Sequence, residues 1–203
     1  MAESAQTAYP QPDARERLLS AALVLFTQRS YAAASVREIC AAAGVTKPVL
    51  YYYFKSKEGL YLELMEGANT QFEDTVAQLI AFPGTTQERV IHFCEGVFDI
   101  CMANLPVVRL MYSIYFGPPQ GVPSFNVGKS YYRMLEILSV FVQEGIARGE
   151  IRHGNVDDTT WTIMACLSTA IDEQLCHETP RIDVAKMVRM LNIVFDAIAV
   201  KGA

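Results

Sequence analysis

Between Ser35 and Lys57 the chain reads SVREICAAAGVTKPVLYYYFKSK, and groups able to touch a charged polymer crowd into its second half: Thr46, Lys47, Tyr51, Tyr52, Tyr53, Lys55 and Lys57. Consecutive tyrosines on a helix point about 100° apart, so at least one of the three must turn its hydroxyl outward. A phenol suits a phosphate oxygen, and a lysine near a helix N-terminus reaches a phosphate or a base edge. The same residues also fit a small helix with aromatic packing and solvated lysines. On chemistry alone both readings stand.

Other chemistries are poorly marked. Cys40, Cys94, Cys101, Cys166 and Cys176 are odd in number and contain no Cys-x-x-Cys pair. That pattern predicts buried, reduced thiols, with a redox switch as the lesser alternative. Cys94 and Cys101 share a helix face but stand about 10 Å apart along the axis, too far for one zinc ion. There is no nucleophile elbow, phosphate loop or His-Glu-x-x-His pattern, so neither an enzyme, a cofactor nor a metal is expected. His92, Asp172 and His177 could orient polar groups of a ligand, but surface or structural roles account for them equally.

The elements that must position these residues are helical. The chain has 203 residues, 51% hydrophobic and 19% charged, which excludes a mostly disordered protein and allows a sizeable core. Apolar residues recur three and four apart, as in Leu19, Leu23, Phe26 and in Leu60, Leu64, Ala68, Phe72, Val76, Leu79. Asp13 with Glu16, Ser35 with Glu38, and Thr85 with Glu88 have capping-box spacing. Gly44 ends one short helix, and Thr46-Lys47-Pro48 opens the next. Ser56 caps a helix running to about Ala81, and Pro106 separates two later helices. Residues 117–123 form the plainest loop. Further helices are predicted over about 124–148, 157–177 with Asp157 as cap, and 182–200. The fold class is therefore all-α, with about nine helices.

Residues 1–12 are polar, end in Pro-Gln-Pro and read as a flexible leader. They have no basic residue and no apolar run, so no signal peptide is expected. The longest uncharged stretch, 110–128, carries Pro118, Pro119, Pro123 and three glycines, so it predicts no membrane span. A cytoplasmic protein without a membrane partner is the expectation.

The net charge of −5 argues, as an average, against nucleic acid. Its distribution argues the other way. From Asp13 to Lys57 there are seven basic residues (Arg15, Arg17, Arg29, Arg37, Lys47, Lys55, Lys57) and three acidic ones (Asp13, Glu16, Glu38), a local charge of +4. The remainder carries −9. The basic patch lies where the two short helices and their glycine turn have helix-turn-helix proportions.

At these residues the sequence resembles the tetracycline-repressor (TetR) family of bacterial transcription regulators. The resemblance runs from Arg15 to about Glu63, through LLSAALVLF, SVREICAAAGV and TKPVLYYYFKSKEGL. It implies an N-terminal three-helix helix-turn-helix domain over 13–57 and a C-terminal helical domain over 58–203 that binds a small effector and dimerises. It further implies a homodimer on double-stranded, palindromic operator DNA. Carried over position by position, Arg37, Thr46, Lys47, Pro48 and Val49 face base edges or phosphates, and Tyr51, Tyr52 and Tyr53 fill the aromatic contact stretch. Lys57 becomes a phosphate partner, while Leu50 and Phe54 are core. Ser30 departs from the family's common glycine after the first helix, which predicts slight strain in a left-handed turn.

In the second domain the resemblance places dimerisation on the last two helices, where Ser168, Asp172, Met187, Leu191, Val194 and Phe195 are the candidate interface. The same apolar face could instead pack inside its own subunit. Candidate effector contacts are Phe98, Met102, Tyr112, Tyr115, Phe116, Tyr131, Met134, Trp161 and Met164, a soft, bulky set suited to an apolar or aromatic ligand. The functional expectation is a ligand-responsive DNA-binding regulator, with repression as the family's commoner mode. The alternative is a helical small-molecule-binding protein without regulatory DNA binding.

Overall fold

A computed structural model describes residues 13–119 and 121–200; the expected leader lies outside them. Among the described residues there are nine helices and no strand: α1 (Ala14–Arg29), α2 (Val36–Ala43), α3 (Lys47–Phe54), α4 (Lys57–Ile80), α5 (Thr86–Ala103), α6 (Leu105–Tyr115), α7 (Lys129–Ala147), α8 (Val156–Cys176) and α9 (Val184–Ile198). Ile151 and Ala199 form an isolated antiparallel bridge.

The local signals act as their chemistry requires. Asp13 accepts the Glu16 N–H at 2.8 Å, and full capping boxes close at Ser35/Glu38 and Thr85/Glu88. Each satisfies N–H groups that the first helical turn leaves unpaired. Gly44 ends α2 at φ 64°, ψ 37°, and Ser56 Oγ accepts the Gly59 N–H at 2.9 Å to cap α4.

Four boundaries differ from expectation. The break between α5 and α6 falls at Asn104, where the chain turns by 93°. Pro106 sits inside the first turn of α6, where a missing N–H has no partner to lose. α7 begins at Lys129, about one turn later than expected, after irregular residues 124–128. Asn155, rather than Asp157, caps α8, its side chain accepting the Asp157 N–H at 2.9 Å. α9 starts at Val184, where Asp183 accepts the Lys186 N–H at 2.7 Å.

The chain divides into two compact units, one of residues 13–66 with 112–125, the other of 67–111 with 126–200. In the first, α1, α2 and α3 pack on one another around Leu18, Phe26, Ile39, Leu50 and Phe54, with Leu60, Tyr61 and Met65 of α4 also buried. In the second, α5, α7, α8 and α9 pack around Phe93, Val97, Leu138, Phe141, Ile163, Leu167 and Leu191. Each such side chain removes roughly 1.5–3 kcal/mol worth of apolar surface from water. The second unit is also tied by polar links. Glu150 accepts the Thr86 N–H at 2.5 Å, and Gln87 donates to Asn192 at 2.9 Å.

Candidate nucleic-acid interface

The helix-turn-helix is built from α2, the Gly44-Val45 turn and α3. Ala43 is buried at the turn, and Val45 donates its N–H to the Cys40 carbonyl at 3.0 Å, reversing the chain tightly. Leu50 and Phe54, four residues apart, anchor one face of α3 in the core. That anchoring fixes what the other faces present. Thr46, Lys47 and Pro48 are exposed at the N-terminus of α3, and Val49 is half-buried. Thr46 makes no side-chain cap bond, so its hydroxyl is not committed to the helix end.

Tyr51, Tyr52 and Tyr53 all stand exposed, Tyr52 the most at 73%. Packing on the anchored face thus left three phenols outside, where one was the minimum expected. Tyr52 and Tyr53 meet edge-on at 5.1 Å, which holds them as a unit. Arg37 is exposed on the first turn of α2. The positive end of a helix dipole at Lys47 adds to the attraction for anionic oxygen.

Other cations nearby are engaged within the protein. Arg29 pairs with Glu38 at 2.9 Å, and Arg15 pairs with Glu63. Ser35 hydrogen bonds, with Arg29 and Arg37 adding charge, hold the Glu38 carboxyl below its ordinary range. Lys55 donates to the Tyr52 carbonyl at 3.1 Å. It occupies φ 66°, ψ −33°, and Ser56 donates to the Phe54 carbonyl across it at 2.8 Å, forming a γ-turn between α3 and α4.

Lys57 stands differently from its expected place as a phosphate partner. Its ammonium donates to the carbonyls of Tyr31 at 2.9 Å and Ala34 at 3.0 Å, and lies 4.2 Å from the centre of the Tyr31 ring. Partial burial pushes its pKa down. Sequence reasoning missed Tyr31, Ala34 and Gly59 as parts of this site. The only local signal was the glycine in Lys-Ser-Lys-Glu-Gly, at a helix start where glycine has no propensity advantage.

The effector candidates divide between the two units. Phe98, Met134 and Met164 are buried in the core of the second unit, with Met102 half-buried. Tyr131 is half-buried, 6.3 Å from the exposed Trp161 ring. Tyr112, Tyr115 and Phe116 group with the first unit, and Tyr115 and Phe116 are exposed. Helical spacing alone does not separate core, cavity and surface, which explains the mixture.

The dimer candidates need correction in part. Met187, Leu191 and Phe195 are buried inside the chain's own core, at 0–2% exposure, so they have no surface left to offer a partner. Ser168, Asp172 and Val194 are half-buried. The faces that remain outward are Trp161, Ala165 and Thr169 on α8, and Arg189, Ile193 and Ala197 on α9. Cys176 is likewise exposed, against the expectation of buried thiols, whereas Cys40, Cys94 and Cys166 are buried.

A family model for bacterial regulatory proteins, tetR family, matches residues 18–64, from the buried Leu18 of α1 to Leu64 of α4. The HTH-type transcriptional activator FasR of Mycolicibacterium smegmatis is 34% identical over 112 residues, 55% of this chain and 51% of that one. Residues 18–64 of the chain are similar to the tetR family of bacterial regulatory proteins. All the candidate DNA-contact residues, Arg37 to Lys57, fall inside the tetR match. The match spans about half the length of FasR, 51%. A second relative, the fatty acid metabolism regulator protein of Bacillus subtilis, is 26% identical over 140 residues, covering 68% of this chain and 71% of that one. In fold, the chain is similar to the ketosteroid transcriptional regulator KstR2 of Mycobacterium tuberculosis, with a TM-score of 0.70 at 19% identity over 97% of this chain and 100% of that one. No single helix among the described residues is long and apolar enough to cross a membrane, and no group of three metal-ligating side chains is gathered there.

Proposed function

We propose that the protein is a sequence-specific regulator of transcription, binding a palindromic DNA operator as a homodimer and released or re-set by a small effector. The observation that carries this reading is the exposed edge of α3: Thr46, Lys47, Pro48 and three tyrosines on a helix anchored from behind by Leu50 and Phe54. Val49 and Arg37 complete the DNA-contact set. Residues 13–57 act as the reading head. Residues 58–203 bind the effector and dimerise, through the outward faces of α8 and α9. The protein works in the cytoplasm and needs no catalysis.

Two recognition helices must enter successive major grooves, about 34–36 Å apart. An effector that favours a subunit arrangement with another spacing shifts the population off DNA. An apolar or aromatic effector is supported by Phe98, Met102, Met134 and Met164, and by the fatty acid metabolism in the Bacillus relative's name. Repression is the proposed direction, though the FasR relative is named an activator.

The test is a gel-shift titration of the DNA upstream of the chain's own gene. Lys47→Ala and Tyr52→Ala should each weaken binding. Unchanged affinity and sequence preference in both variants would refute α3 as the reading element.

A further inference from the structure

Lys55 follows the last residue of α3, and its backbone lies at φ 66°, ψ −33°. That left-handed region favours glycine and strains a residue carrying a β-carbon. The Lys55 N–H still donates to the Tyr51 carbonyl at 3.1 Å, as a continuing helix would have it. The next N–H does not follow. Ser56 donates to the Phe54 carbonyl at 2.8 Å, and Gly59 presses on that same oxygen from α4. The Tyr52 carbonyl therefore loses the partner that an unbroken helix supplies four residues on. The Lys55 ammonium takes that place, donating to the Tyr52 carbonyl at 3.1 Å.

This bond fixes where the charge stands without cancelling it. Arg15 and Arg29 are each paired with a carboxylate, Glu63 and Glu38. Lys55 is held by a neutral carbonyl and keeps its full charge, and among the described residues it makes no ion pair. One of its three N–H donors is used, which leaves two. The side chain is exposed, with Nζ 6.0 Å from the ring centre of Tyr52, the most exposed tyrosine of α3. Lys47 and Lys55 stand at opposite ends of the eight-residue α3, about 12 Å apart along its axis. The major groove of duplex DNA is about 12 Å wide. Two lysines so spaced can each meet one phosphate wall while the tyrosines between them face the base edges.

We propose that Lys55 is a further DNA-contacting residue, a phosphate ligand that the γ-turn and the Tyr52 carbonyl hold in place before DNA arrives. Its target is a backbone phosphate on the groove wall opposite the one met by Lys47. This rests on the reading of α3 as the helix that enters the groove. A loose surface lysine loses side-chain freedom when it meets a phosphate; Lys55 has already surrendered part of that freedom to the Tyr52 carbonyl. Glycine would occupy the turn without strain, but it would bring no charge to the groove wall.

The experiment uses the full chain and the duplex upstream of its own gene, with affinity read as a function of salt. Lys55→Gln keeps a donor for the Tyr52 carbonyl and drops the charge. Lys55→Gly drops both but relaxes the backbone, so its Tm should exceed that of Lys55→Gln. Both should flatten the slope of log K against log salt by about 0.9, the counterion release of one phosphate contact. Both should also bind about eightfold more weakly at 0.1 M salt, which is that slope carried over one decade from 1 M. Lys55→Arg should restore slope and affinity. Lys47→Ala should flatten the slope by the same amount as the two neutral variants.

Wild-type slopes in Lys55→Gln and Lys55→Gly overturn the contact. So does a Lys55→Gly that binds more tightly than Lys55→Gln, because the stability of the turn would then decide affinity rather than the charge. If Lys55→Gln does not fold, the slope of Lys55→Gly decides by itself. Lys47→Ala separates this failure from that of the α3 reading. A flattened Lys47→Ala slope beside wild-type Lys55 slopes removes Lys55 alone, whereas wild-type slopes in all three variants remove α3 from the groove.

Discussion

A β-carbon built on Gly59 would lie 2.0 Å from the carbonyl oxygen of Phe54, so the first turn of α4 passes directly against the last residue of α3. No side chain fits between them, and the obstacle is backbone, which cannot swing aside. Gly59→Ala should therefore push α4 and α3 apart, costing about 1–3 kcal/mol as overpacking does. Urea unfolding would measure the loss. A variant as stable as wild type would mean that the two helices are not held this closely.

Ser30 gives the opposite sign. Its backbone at φ 77°, ψ 159° costs a side-chain-bearing residue on the order of 1–3 kcal/mol, which glycine avoids while losing some unfolded-state advantage. Ser30→Gly should be stabilising by about 1 kcal/mol, the balance of those two effects. Thermal unfolding of the pair provides the check, with a lowered Tm as the contrary result.

On α9, Ile193 and Leu191 are two residues apart yet face different environments: Ile193 is 69% exposed and Leu191 fully buried. Leu191→Ala should cost about 2–5 kcal/mol of folding stability, from lost burial and the cavity left behind. Ile193→Glu should leave the fold of the single chain intact but move the protein toward monomer, because a charge would be buried at the proposed interface. Sedimentation velocity distinguishes them; an Ile193→Glu dimer as tight as wild type would place the interface elsewhere.

Glu173, at the end of α8, has its carboxyl held down to about 2 from the ordinary 4.5, first by the Arg181 side chain's hydrogen bonds, then by the Arg181 backbone N–H, its charge and that of His177. The folded-state pKa is depressed, so the native state binds fewer protons than the unfolded one below 4.5. This contribution to stability is complete above the ordinary carboxylate value and disappears as pH falls toward 2. The Tm difference between wild type and Glu173→Gln should be constant near neutrality and shrink on acidification. A difference that does not change with pH would show that the carboxylate charge is not what joins α8 to Arg181.

Much of the architecture was legible in the sequence because its signals are local. A capping box such as Ser35/Glu38 spans three residues, and the Leu50 to Phe54 spacing spans one helical turn, so both can be read before any packing is known. The glycine turn, the basic segment and the tyrosine run were local too. The sequence therefore determined the all-α class and the place of α3, the proposed DNA-reading helix. What it left undecided depends on residues far apart in the chain. Lys57 finds its acceptors 26 and 23 residues away, and only the packing of α1 and α4 brings them within hydrogen-bond reach. Met187, Leu191 and Phe195 look like any apolar stripe until α5 and α8 close over them, and Ile193 is left outside by the same packing. Periodicity tells which residues share a helix face; only the tertiary structure decides whether that face meets the chain's own core or remains open to a partner, because burial belongs to the assembled helices and not to any one of them.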